Sequence, residues 1–239
     1  MSGTLLEICV DDAEGLAAAI EDGADRIELC SALELGGLTP SAGLVALAAK
    51  APVPVRAMIR HRPGDFVFSD AEAEVLLADI AAMRSAGLEG VVLGASLGDG
   101  RLDEQLLRRL VEAASGMGLT LHRAFDVVPD QAAALEMAIA LGFDTILTSG
   151  GASNVTEGMD ALGRIAAEAG DRITIMPGGG VSAGTVPALR AAMDLRAIHG
   201  SCSEPAAPAT EPAERLGFTS PSRRRTSVAK VAALKAALA

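Results

Sequence analysis

The sequence predicts a single-domain α/β fold, a (β/α)8 TIM barrel, on three observations. Short aliphatic runs alternate with Ala/Leu-rich amphipathic stretches. Eight such units fit into 239 residues, where an open doubly wound sheet usually stops at about five to seven strands. No Ser/Pro/Gly-rich linker divides the chain before about residue 203, so residues 1–239 read as one domain.

Strands are expected near 5–10, 26–30, 53–60, 90–94, 120–125, 145–149, 174–177 and 197–200, where apolar runs are too short for helices. Helices are expected between them, over 12–22, 41–51, 70–86, 103–116, 130–141, 157–169 and 182–193, with an eighth over 228–238. Thr39 before Pro40 reads as an N-cap and first turn, and Gly23, Gly87, Gly118 and Gly142 follow last turns. The Pro/Ala-rich stretch 203–227 reads as an irregular or partly disordered rim before the last helix.

Composition narrows the function. A net charge of −11 argues against a nucleic-acid surface, since phosphate binding needs clustered cations and the one run, Arg223 to Arg225, reads as a solvated loop. Apolar runs are broken by charge too often to span a bilayer, and Glu7 interrupts the first of them with no basic start before it. A cytoplasmic protein is expected. Three cysteines without a CxxC pair make neither a disulfide framework nor a four-ligand zinc site, and read as reduced thiols.

Period-two alternation assigns the faces of each strand. Leu6, Ile8, Ile27 and Leu29 point at the helices, whereas Glu7, Cys9, Arg26, Glu28 and Cys30 point inward. Arg56 and Arg60, then His122 and Asp126, Thr148 and His199 extend this polar interior, and "IRHRPGDF" adds Asp65 to a rim loop while "LHRAFD" adds Arg123. Burying such a layer costs several kcal/mol per unpaired ion, so it is either a self-neutralising network or a ligand site. Chemistry in such barrels collects where strands end, which favours the site. "PGGGVS", with Gly178, Gly179 and Gly180 before Ser182, reads either as a phosphate cradle or as a tight turn needing positive φ. The loop Gly36 to Pro40 reads as a turn.

With "LEICVDD", "GADRIELC", "GGLTPS", "RHRPGDF", "LHRAFD", "ILTSG" and "GGGV" in this order, the sequence resembles the CutC family of copper homeostasis proteins from about residue 5 to about residue 201. The resemblance implies a cytosolic TIM barrel, a homo-oligomer of two or more copies, and copper(I) bound through Cys9 and Cys30. Two thiolates ending adjacent parallel strands suit that soft ion, although Glu7 and Glu28 lie one pleat below and oppose thiol ionisation. Either cysteine can instead be a small buried hydrophobe. Cys202 is a third sulfur near strand 1, outside the family's pattern.

Two functions therefore stay open. One is copper binding at Cys9 and Cys30, with the charged layer around them. The other is an enzyme on a small anionic or sugar-like substrate, with no organic cofactor evident. There Arg60 and Arg123 grip the anion beside Arg26, Asp65, Asp126, Gly178, Gly179 and His199, Glu7 or Glu28 serves as base, and His122 moves the proton.

Overall fold

A computed structural model describes residues 3–220 and 223–239. Its eight parallel strands are β1 (Leu5–Val10), β2 (Arg26–Leu29), β3 (Val55–Met58), β4 (Gly90–Leu93), β5 (Gly118–Leu121), β6 (Thr145–Thr148), β7 (Thr174–Pro177) and β8 (Ala197–Gly200). They follow one another in chain order around the sheet, and β8 returns to pair with β1. At the last seam β7 and β8 lie side by side without a hydrogen-bonded ladder among the described residues. The result is a nearly closed (β/α)8 TIM barrel, as the alternating pattern predicts.

The helices are α1 (Ala13–Glu21), α2 (Ala42–Ala48), α3 (Asp70–Ser85), α4 (Glu104–Ala113), α5 (Gln131–Leu141), α6 (Met159–Ala169), α7 (Val186–Ala192), α8 (Glu211–Arg215) and α9 (Val228–Leu238). Side chains of Asp12, Ser41, Ser69, Asp103 and Asp130 accept the first free amide hydrogens of α1 to α5. Thr39 is not the cap that Pro40 suggests. Its hydroxyl donates to Asp79 and accepts from the Arg60 amide, which ties the loop after β2 to the loop after β3. None of the helices is long and apolar enough to cross a membrane among the described residues.

Leu6, Ile8 and Val10 of β1 and Ile27 and Leu29 of β2 are fully buried between strands and helices. Removing each such side chain from water contributes about 1.5–3 kcal/mol. The alternate residues fill the barrel interior, where Cys30, Met58 and Val92 form one apolar knot and Leu147, Met176 and Ala197 another.

The floor of the barrel is a salt-bridge network. Arg56 donates to Glu89 at 2.9 Å, to Asp144 at 2.6 Å and to the Thr120 hydroxyl at 2.8 Å. Glu89 and Asp144 stand just before β4 and β6 and draw the guanidinium away from the mouth, where alternation alone had placed it. Gly118, expected to close α4, opens β5 instead, and a Cβ there would overlap the Arg56 guanidinium.

Over 203–227, where the composition suggested an irregular rim, β9 (Ser203–Pro205) and β10 (Arg224–Thr226) pair antiparallel, with α8 between them. Arg225 and Glu204 bridge the ribbon at 2.8 Å.

Candidate functional site at the barrel mouth

Register brings the interior charges together. Glu7 stands opposite Arg26 on one side and His199 on the other, while Cys9 stands opposite Glu28. Glu7 is completely buried; one carboxylate oxygen accepts from Arg26 Nε at 2.5 Å and the other lies 2.8 Å from His199 Nδ1. Arg26 also reaches the Met176 sulfur at 3.5 Å. Burial opposes ionisation of Glu7, but the His199 hydrogen bond and the charges of Arg26 and His199 prevail and hold it at about 2.

With its Nδ1 fixed by Glu7, His199 turns Nε2 towards Glu28, 3.8 Å away. Burial works against a charged imidazole, yet the neighbouring Glu28 charge and the contacts to Cys9 and Glu7 push its pKa well above the usual value. Glu28 is raised, chiefly by burial and further by Glu7. Cys9, Glu28 and His199 each offer a ligand atom within 4.8 Å of the other two, and all three residues are buried.

Cys30 lies beside this trio rather than in it. Its thiol donates to Glu28 at 3.5 Å, and burial, reinforced by the Glu28 charge, raises it well above the ordinary thiol value. Cys202 is buried with φ at +44° and is pushed by burial to about 11. All three thiols are free.

Across the mouth stand Arg60 and His122. The Arg60 guanidinium is held by three backbone carbonyls, those of Leu35 at 2.9 Å, Gly37 at 3.1 Å and Gly64 at 2.8 Å, and it lies over the Phe66 ring at 5.3 Å. The chain leaves β5 at Leu121, so His122 caps a 3-10 turn over Arg123–Val127 instead of continuing a strand. Its Nδ1 accepts from the Ala124 amide at 3.1 Å, which places the ring proton on Nε2. Burial, with the Arg60 charge, depresses its pKa to about 3, so the ring is neutral.

The remaining predicted residues divide. Arg123 lines the cavity but spends its guanidinium on Asp126 at 2.6 Å and Ser149 at 2.7 Å. Asp126, carried off the strand by the same 3-10 turn, faces the loop after β6 and accepts from the Thr148 hydroxyl and the amides of Ser149 and Gly151. Asp65 is exposed, paired with Arg62 at 3.3 Å. Gly178 packs so closely on Leu147 and His199 that a side chain would collide, and its amide is bonded to Thr148. Gly179 and Gly180, at φ of +98° and +77°, form the tight turn and border the cavity. Phe66 was not singled out from the sequence; its place next to Arg60 and Asp65 in "RHRPGDF" was the available signal.

Glu28, Cys9, His199, Arg60, His122 and Phe66 share one cavity of about 320 Å³ at the C-terminal ends of the strands. Fold and site together define a TIM-barrel protein whose mouth gathers a potential metal-holding trio and a polar pocket. A profile of the CutC family matches residues 4–204, and the chain belongs to that family. The CutC family protein of Rhizobium meliloti is 56% identical over 243 residues, covering 100% of this chain and 97% of the relative. That of Agrobacterium fabrum is 55% identical over 237 residues, covering 98% and 94%. The solved CutC chain of Streptococcus agalactiae, provisionally described as a copper homeostasis protein, superposes with a TM-score of 0.79 at 31% identity, covering 83% of this chain and 98% of its own.

Proposed function

We propose that this CutC family protein binds one copper(I) ion at the barrel mouth through Cys9 and His199, with Glu28 as the third donor. The observation that carries the reading is the convergence of these three ligand atoms within 4.8 Å in a buried site. Thiolate and imidazole suit copper(I), and Glu28 supplies a compensating charge. Glu7 occupies the far nitrogen of His199, the outer-shell arrangement that orients metal-binding histidines. Copper as the ion rests on the family and on the provisional description of the Streptococcus agalactiae relative. Cys30, the partner of Cys9 in the sequence-based pair, is assigned to the surroundings because its thiol is directed at Glu28. The same reading, which for these two points rests on the family alone, takes the protein as a cytoplasmic homo-oligomer.

The test is an anaerobic copper(I) titration of the full chain against a competing chelator. One equivalent is expected to bind, weakened about 100-fold or more by Cys9→Ser or His199→Gln and about 3-fold or less by Cys30→Ser. Wild-type affinity in both Cys9→Ser and His199→Gln sinks the site. A preference for zinc(II) over copper(I) in the same competition sinks the choice of ion alone.

A further inference from the structure

We infer that Arg60 and His122 form a separate subsite of the mouth that binds the carboxylate of a small organic acid. Both residues line the 320 Å³ cavity and both are more than nine-tenths buried, at 5% and 3% exposure. Among the described residues, Arg60 Nε and His122 Nε2 each meet no hydrogen-bond partner. A buried donor left unpaired costs about 1–3 kcal/mol, so two of them on residues that line one cavity point to a ligand that satisfies them.

The charge balance points the same way. Arg26, Arg56 and Arg123 all have carboxylate partners, whereas Arg60 is held by neutral carbonyls and forms no ion pair among the described residues. One uncompensated positive charge and two free N–H donors match a single carboxylate, one oxygen to each donor. The neutral state of His122 follows from its bond to Ala124 and keeps Nε2 a donor.

The other walls describe the rest of the ligand. Phe66, Met58 and Leu147 offer apolar surface, and Glu28 Oε1, a buried acceptor without a partner among the described residues, suits a ligand hydroxyl. Phosphate is the poorer match. The Gly178 amide is already bonded and α7 has only seven residues, so the glycine turn adds no helix-based cradle.

The inference does not rest on copper and is tested in metal-free full-length protein. Histidine 15N-labelling gives few resonances, since the chain has three histidines. Acetate, glycolate, lactate, pyruvate and malonate are titrated to about 50 mM, with lactamide as the uncharged counterpart of lactate and inorganic phosphate as a competitor. At least one acid is expected to shift the His122 Nε2 resonance saturably, with a dissociation constant on the order of 1 mM. Lactamide is expected to leave that resonance in place. Arg60→Lys is expected to weaken binding about 10-fold, and the surface variant Arg172→Gln to change it less than about 2-fold. No saturable shift with any acid, an equal response to lactamide, or tighter binding of phosphate than of every acid overturns the inference. If Arg60→Lys does not fold, the wild-type comparison of acids with lactamide and phosphate decides.

Discussion

Replacing His122 by asparagine tests the electrostatics of the mouth through stability alone. The asparagine oxygen takes over the acceptor role of Nδ1 towards the Ala124 amide, so the cap on the 3-10 turn is kept. What is lost is the ring against Phe66, 4.7 Å between centroids, at a cost of about 1–2 kcal/mol that does not depend on pH. The titration is what distinguishes the two proteins. His122 in the folded chain has a pKa of about 3, below its ordinary 6.5. As pH falls through 6.5 the unfolded chain takes up a proton that the folded chain refuses until near 3, so stability is full above that window and drains within it.

At 1.36 kcal/mol per tenfold, lowering pH from about 7 to about 5 removes about 2 kcal/mol from the wild type through this residue. Any folded value below about 4 gives the same loss over that range. Urea unfolding followed by circular dichroism at both pH values, on wild type and His122→Asn, isolates the effect, because the other titrating groups are common to both. The wild-type advantage of about 1–2 kcal/mol at about pH 7 is expected to vanish or reverse by about pH 5. A difference that stays constant refutes a neutral, buried imidazole.

Two further outcomes follow from the same geometry. Glu7→Gln leaves Arg26 buried without its carboxylate, and in chelator-treated protein its urea midpoint is expected to fall by the equivalent of about 3–5 kcal/mol; a loss below about 1 kcal/mol contradicts the pairing. Gly94→Ala puts a methyl 2.5 Å from His122 Cε1, so a cost of about 1–3 kcal/mol and a displaced His122 resonance are expected, and wild-type values for both contradict the packing.

Much of this architecture can be read from residue order. The strand and helix alternation names the barrel, and period-two alternation correctly turns Glu7, Cys9, Arg26 and Glu28 inward. It turns Arg56 inward as well without telling at which end of the barrel its charge is met, and it fails for Asp126. A long arginine follows its carboxylates, and Glu89 and Asp144 sit at strand beginnings that no local pattern orients. Asp126 needs the backbone to continue straight past Leu121, and the 3-10 turn capped by His122 redirects it.

Which inward groups meet is a different question. Glu7 and His199 are 192 positions apart in the chain, and only closure of β8 onto β1 makes them neighbours. Likewise, "LHRAFD" holds Arg123 together with its carboxylate partner Asp126, whereas nothing in "IRHRPGDF", which also carries Asp65, tells that Arg60 has backbone carbonyls for company. Hydrophobic periodicity is a short-range property written residue by residue. Pairing of buried charges is set by distances across the barrel, so it emerged once all eight strands were in place.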